Sequence, residues 1–137
     1  MRPTDRFRRQ HGELQKLATE LIALSLRPGT SGRDLQRATA RFAGKLKIHA
    51  AMETEALYPL LLEHDDPTIR ERAAQLHDEL GPLYGEFEQF ESRWSTAEAI
   101  DAKRFRYRIE LARILQVLGR RMLRENRVLY PMADEHL

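Results

Sequence analysis

Apolar side chains recur along the chain at steps of three and four residues, which is the period of an α-helix with one buried face. Turn-forming residues interrupt the pattern at 27–32, at 64–68 and from 95 onward. The pattern predicts four helices, at about residues 4–26, 32–64, 67–94 and 99–134. Because short connections between long helices favour antiparallel neighbours, we expect an all-α fold: an antiparallel up-down-up-down four-helix bundle that forms a single domain over residues 1–137.

Six ionisable residues interrupt the apolar stripes of these predicted helices. They are His11, His49, Glu53, His77, Arg121 and Glu125. Glu53 and His77 lie equally far from the turn near residue 65, and His11 and His49 lie almost equally far from the turn near residue 29. Since each residue advances a helix by about 1.5 Å, these side chains should have similar heights in the bundle. We therefore expect them to form one polar layer inside the core.

The chain also carries an internal two-fold repeat. Residues 11–17 and 77–83 share the pattern His-x-Glu-Leu-x-x-Leu, and residues 53–59 and 125–131 share the pattern Glu-x-x-x-Leu-Tyr-Pro. The first two predicted helices thus match the last two, which places like residues face to face across the bundle axis. The repeat fails at one position of the layer, because the fourth helix has Arg121 where the second has His49.

The helical period extends the buried stripes beyond each repeated glutamate. It predicts Ala56 and Leu60 in the core of the second helix, and Val128 and Met132 in the core of the fourth. Three tyrosines of these regions are interpreted as aromatic residues at the edge of the core, namely Tyr58, Tyr84 and Tyr130. Of these, Tyr84 is also a candidate neighbour of a metal ion.

The composition narrows the chemistry that such a layer can carry. Cysteine is absent, which excludes disulfides, thiol catalysis and thiolate metal sites. Imidazole and carboxylate groups are then the candidate ligands, and His49 and Glu53, four residues apart, project from the same helix face. Nitrogen and oxygen donors suit iron, manganese or zinc. Burying carboxylates without a cation or hydrogen-bond donors is costly, and a metal ion would remove that cost.

The charge balance argues against other partners. The formal net charge is +2, which is too near neutral to indicate binding to nucleic acid or to an anionic membrane. No apolar run is long enough to span a bilayer, and the N-terminus does not resemble a signal peptide, so a cytoplasmic protein is expected. His64 and His136 lie at predicted helix ends, where capping or fraying accounts for them.

In this order and with this spacing, the residues of the layer resemble the hemerythrin-like domain, also called the HHE cation-binding domain. The resemblance covers nearly the whole chain and rests on His11, on His49 with Glu53, on His77 and on Glu125. It implies two non-haem irons, or related divalent cations, inside the bundle. His11 and His49 would bind one metal and His77 the other, while Glu53 and Glu125 would coordinate or bridge.

The chain departs from the family's pattern at Arg121. In that pattern, the residue four positions before the acidic ligand of the fourth helix is a histidine. A guanidinium group does not deprotonate in proteins, so Arg121 cannot bind a metal. The third helix also lacks a second histidine one turn from His77. Both departures argue against reversible oxygen carriage. Arg121 could instead pair with Glu53 or Glu125 and replace the second metal, which leaves open two metals, one metal, or a metal-free salt-bridged layer.

Three classes of function follow from these alternatives. The first is a metal-binding module that senses or handles iron, dioxygen or a related redox species. The second is a degenerate metal-free bundle, in which Arg121 replaces a metal and the protein acts as a structural or partner-binding module. The third is a di-iron oxidase or peroxide scavenger, which needs an open coordination position. The sequence favours a non-enzymatic role, and it contains no Ser-His-acid constellation or glycine-rich phosphate loop.

Overall fold

The fold is entirely helical in a computed structural model that describes all 137 residues. Eight α-helices and two one-turn π-helical segments follow one another along the chain. They are α1 (Asp5–Leu26), α2 (Gly32–Met52), π1 (Glu53–Leu57), α3 (Tyr58–Leu62), α4 (Pro67–Leu80), α5 (Pro82–Arg93), α6 (Ala97–Ala102), α7 (Arg104–Arg124), π2 (Glu125–Leu129) and α8 (Tyr130–His136). None of these helices combines the length and the apolar character needed to cross a bilayer.

Local side-chain caps account for several of the helix starts. The Ser31 hydroxyl accepts a hydrogen bond from the amide of Asp34 at the start of α2, and Thr96 caps α6 in the same way. Asp66 caps α4, whose first residue is Pro67, a position where the missing amide hydrogen costs nothing. In the turn between α1 and α2, Gly29 adopts a φ of +79°, which glycine reaches without steric strain.

Three of the four long helices predicted from the sequence are interrupted in the structure, and only the first is continuous, as α1. The second comprises α2, π1 and α3, and the third divides into α4 and α5 at Gly81. The fourth begins with the separate helix α6, because the chain leaves helical geometry at Lys103 (φ −139°, ψ 52°) before α7 starts. Helix α1 packs against α2 and α7, α5 packs against α7, and α3 packs against α4, so the elements form a helical bundle.

Each π segment begins at a repeated glutamate and ends just before a repeated Tyr-Pro pair. The amide of Tyr58 donates to the carbonyl of Glu53, five residues earlier, and the amide of Tyr130 donates to the carbonyl of Glu125. The proline that follows each tyrosine has no amide hydrogen, and its ring would clash with the carbonyl four residues before it. A π turn accommodates this clash by adding one residue to the turn.

The extra residue in π1 moves the buried stripe of the second long helix. The core receives Leu57 and Leu61, whereas Ala56 and Leu60 are exposed. The prediction that placed Ala56 and Leu60 in the core was wrong, because it continued the regular helical period through a turn that is wider than an α-helical turn.

The same shift occurs in the fourth long helix. Leu129 and Ala133 are fully buried, while Val128 and Met132 are only partly buried at the edge of the core. The core is thus divided into two apolar clusters along the bundle. One contains Leu14, Leu46 and Leu118 and their neighbours, and the other contains Phe7, Leu57, Leu61 and Leu129 and their neighbours. Five buried polar or charged residues lie between these clusters along their helices, namely His11, His49, Glu53, Arg121 and Glu125.

Candidate metal centre

Two histidines and two glutamates meet in this buried layer. His11 comes from α1 and His49 from the last turn of α2, while Glu53 and Glu125 open the two π segments. One ligand atom from each residue lies within 4.8 Å of the other three, and all four residues are buried. The Nε2 atom of His11 is 3.1 Å from Oε1 of Glu125, and Nε2 of His49 is 3.1 Å from Oε1 of Glu53. These spacings are close to those between neighbouring ligands around one metal ion with bonds of about 2.0–2.2 Å.

The other nitrogen of each imidazole is held by a side-chain amide. Nδ1 of His11 lies 2.8 Å from Oδ1 of Asn126, and Nδ1 of His49 lies 2.7 Å from Oε1 of Gln10. An amide oxygen only accepts hydrogen bonds, so each Nδ1 carries a proton and each Nε2 is the nitrogen that faces the layer. The two Nε2 atoms are 3.0 Å apart. Two lone pairs that face each other at this distance repel unless a metal ion or a proton lies between them.

The sequence analysis missed both amides. Each is adjacent in sequence to a residue of the cluster: Gln10 precedes His11, and Asn126 follows Glu125. Each also bonds to a histidine on a different helix, which only the tertiary packing brings close. An amide side chain directly next to a predicted ligand is the sequence signal from which both residues could have been identified.

Two tyrosines donate hydrogen bonds to Glu53. The hydroxyl of Tyr130 donates to Oε2 over 2.7 Å and also lies 3.0 Å from Nε2 of His11. The hydroxyl of Tyr84 donates to Oε1 over 3.1 Å. Burial, reinforced by the nearby carboxylates, raises the pKa of both phenols above its ordinary value, so both keep their protons as donors. Tyr130 is therefore part of the polar layer, beyond the core-edge role predicted from the sequence.

The two carboxylates differ in protonation. Burial alone would raise the pKa of Glu53, but interactions with His49, Glu125 and Tyr130 lower it to about 2. Burial raises the pKa of Glu125 well above its ordinary value, and the negative charge of Glu53 raises it further. A proton taken up by the pair in the metal-free protein therefore binds to Glu125 in preference to Glu53. Burial and the neighbouring His49 lower the pKa of His11 to about 4, so this imidazole is neutral at physiological pH.

Arg121 lies in the same layer, 3% exposed. One terminal nitrogen, Nη2, is 3.7 Å from Oε1 of Glu53 and 3.6 Å from Oε2 of Glu125. The other, Nη1, donates to the backbone carbonyl of Leu80. The guanidinium carbon lies 3.4 Å from the centre of the Tyr84 ring. A fixed positive charge therefore faces both carboxylates within the layer.

The structure does not bring His77 into this cluster. Its side chain is exposed, and its ring packs edge-on against Tyr58, with the ring centres 5.0 Å apart. Helix α4 instead buries Leu76, the residue that precedes His77. The matching pair on α1 is Gln10 and His11, of which the histidine is the buried one. Because a leucine gains more from burial than a histidine, α4 turns its apolar residue inward and carries His77 outward.

The chain matches one known protein family. A family model described as the hemerythrin HHE cation binding domain matches residues 2–133. The chain belongs to this family. The resemblance seen in the sequence is thus confirmed, and comparisons with curated proteins and with solved structures give no match.

The donors of this hemerythrin HHE domain fit a divalent cation. The buried cluster of His11, His49, Glu53 and Glu125 offers two imidazole nitrogens and two carboxylate oxygens, a set that suits borderline metals. Oε2 of Glu125 is buried without a hydrogen-bond partner, and a buried acceptor in that state is costly. The cluster could bind a metal ion.

Proposed function

We propose that this hemerythrin HHE domain binds one non-haem iron-type divalent cation through His11, His49, Glu53 and Glu125. The observation that carries the proposal is the pair of imidazole nitrogens facing each other 3.0 Å apart, each with its other nitrogen bonded to an amide oxygen. That arrangement prepares two imidazole ligands for one cation. Iron is the cation of choice because the family resemblance implies it and because nitrogen and oxygen donors accept it.

A single cation is proposed, rather than the two that the resemblance implies. The second half of the repeat contributes Glu125 to the cluster, but its other two positions hold no ligand there: His77 is exposed, and Arg121 carries a permanent positive charge. The proposed biological role is to sense or handle iron, dioxygen or a related redox species. A role in catalysis is not proposed, and a cytoplasmic location stays an expectation of the sequence.

The chain's own residues prepare the site for binding. A bound cation of this kind supplies a Lewis-acidic or redox-active centre. His11 is neutral and can bind without losing a proton, whereas the raised pKa of Glu125 makes proton release part of its binding to a cation. Tyr130 orients Glu53 through its 2.7 Å hydrogen bond. We also propose that the long helices run up-down-up-down, which is supported by the packing of α1 against α2 and α7 and of α5 against α7.

Metal analysis of the native protein tests this proposal. After anaerobic reconstitution with Fe²⁺, elemental analysis should find about one metal per chain in the wild type and almost none in a His11→Ala variant. His77→Ala is the matched control, and it should keep the wild-type metal content because its side chain lies outside the cluster. A wild type without metal after reconstitution would overturn the proposal, and a large loss of metal in His77→Ala would favour two metals.

A metal-free structural role is the second candidate, and one observation favours it. Arg121 approaches both carboxylates within 3.7 Å, and the raised pKa of Glu125 favours a proton there that would complete the charge balance without a metal. In that case the layer would fix the register of the helices for a structural or partner-binding module. The same metal analysis separates the two candidates.

A further inference from the structure

Three departures from the internal repeat meet at one place in the fold. Residue 11 aligns with residue 77, and residue 49 aligns with residue 121. In this alignment His11 matches His77, and Glu53 matches Glu125. The departures are Arg121 in place of His49, Pro82 in place of Lys16, and Tyr84 in place of Ala18. In the structure, the guanidinium group of Arg121 contacts groups that the other two residues provide.

Pro82 makes an acceptor available to this guanidinium. The residue interrupts the helix between α4 and α5, and the amide of Tyr84 donates to the carbonyl of Gly81 instead of to that of Leu80. The Leu80 carbonyl is therefore left without the amide that a continuous helix would supply four residues later. Nη1 of Arg121 donates to this carbonyl across the bundle.

Tyr84 provides a flat surface for the same group. Its ring centre is 3.4 Å from the guanidinium carbon of Arg121, and its hydroxyl is anchored on Glu53 at 3.1 Å. Arginine stacks on aromatic faces through its planar, weakly hydrated cation, which lysine cannot imitate. The corresponding position of the first half is an alanine, which offers no such face.

The remaining side of the guanidinium faces negative charge. Nη2 approaches one oxygen of Glu53 and one of Glu125, and the whole side chain is buried. A carbonyl, an aromatic face and a pair of carboxylates thus surround one planar cation from three directions. Each of these groups matches a different property of guanidinium: its directional N–H groups, its flat face and its charge.

We propose that the Leu80 carbonyl, the Tyr84 ring and the carboxylates of Glu53 and Glu125 form a binding site for guanidinium, which Arg121 occupies from within the chain. The site takes the place of the second metal position in the second half of the repeat. Only this statement about the second metal rests on the proposed function, since the guanidinium site is defined by contacts within the metal-free chain.

Chemical rescue of a truncated arginine tests the site directly. In Arg121→Ala the buried carboxylates lose their cation, and the melting temperature of the metal-free protein should fall by about 10 °C. Methylguanidinium at low millimolar concentration should restore a large part of this loss with saturable dependence, whereas methylammonium should not. In Arg121→Ala combined with Tyr84→Ala, methylguanidinium should no longer stabilise. Equal rescue by the two cations, or no rescue by either, would overturn the proposal.

A second variant keeps the test decisive if Arg121→Ala does not fold. Arg121→Lys retains the charge but not the planar fork, so its melting temperature should lie clearly below that of the wild type. A lysine variant as stable as the wild type would show that charge alone suffices, and would overturn the proposal. Because both readouts use metal-free protein, the guanidinium site can stand even if the wild type binds no metal, and it can fail while metal binding holds.

Discussion

The two halves of the repeat share a backbone design but place different groups at the centre of the bundle. Each half has a helix that opens with a glutamate in a π segment and closes on Leu-Tyr-Pro. In the first half, His11 and His49 turn their Nε2 atoms toward the layer. In the second half, His77 is exposed and Arg121 brings a permanent cation into the layer. One scaffold thus supports a ligand set on one side and a built-in counter-charge on the other.

The two glutamates show what this difference does to chemistry. Glu53 accepts hydrogen bonds from Tyr84 and Tyr130, and its pKa is lowered. Glu125, its counterpart in the repeat, has one oxygen without a partner and a raised pKa. Tyr130 donates a hydrogen bond to Glu53, whereas the hydroxyl of Tyr58, its counterpart in the repeat, is buried without a hydrogen-bond partner. Equal positions in a repeat therefore do not imply equal charge states, because each proton follows the hydrogen bonds available to it.

The largest effect should come from removing the two glutamates one at a time. Glu53→Ala should lower the free energy of unfolding of the metal-free protein by about 3–5 kcal/mol, because it leaves Arg121 and two phenols facing a void. Glu125→Ala should cost only about 1–3 kcal/mol, since this carboxyl has a raised pKa and is incompletely bonded. Urea denaturation monitored by circular dichroism measures both values. Equal losses would show that the two carboxyl groups are equivalent, contrary to the asymmetry of the halves.

Arg121→His should make the halves more alike. The variant removes the permanent cation and restores the histidine that the repeat calls for, so the metal content should rise from about one toward about two per chain. Elemental analysis after anaerobic reconstitution measures it. Arg120→His is the matched control, because that neighbour is exposed, and it should leave the metal content unchanged. An Arg121→His variant that still binds a single metal would count against Arg121 as a replacement for the second one.

Gln10→Leu should make the first half more like the second. Leucine is the residue that occupies the matching position 76, and it cannot accept a hydrogen bond from Nδ1 of His49. Loss of this orienting hydrogen bond should weaken metal affinity by about 10–100-fold. Competition with a chelator of known affinity measures the change. The control is Gln15→Leu, which alters an exposed glutamine on the same helix and should bind metal as the wild type does.

The smallest expected effect is the change of metal affinity per pH unit. The raised pKa of Glu125 means that its proton competes with the metal at any pH below that value, so affinity should fall as the pH falls. One competing proton gives at most about a tenfold loss of affinity per pH unit. His11, with a pKa lowered to about 4, should add to the slope only near that pH. Chelator competition between pH 6 and pH 8 measures the slope, and a flat profile there would show that Glu125 is already ionised in the metal-free protein.

Part of the site could be read from the sequence because it depends on helical spacing. The pairs formed by His49 with Glu53 and by Arg121 with Glu125 are each four residues apart, and a helix places such residues on one face wherever it packs. Their meeting with His11 followed from the heights of the residues along the helices. The amides of Gln10 and Asn126 could not be deduced in this way, since each acts on a histidine of a neighbouring helix.

The position of His77 depends on a competition that spacing does not describe. A rotation of α4 about its own axis decides whether Leu76 or His77 faces the core, and both choices satisfy the same apolar period. The burial of Leu76 favours one of them. Similarly, the prolines were visible in the sequence, but the widened turns before them shifted the buried stripe to Leu57 and Leu129.

The order of the amino acids was enough to predict the helical character, the internal repeat, the family and the residue types that could serve as ligands, because these follow from periodicity and side-chain chemistry along a single helix. The packing of the helices was needed to establish which face α4 turns inward, which carboxyl group has the raised pKa, and what surrounds Arg121. Those outcomes depend on atoms from several helices meeting in a space shielded from water, where burial sets both the strength of each contact and the cost of each unpaired charge.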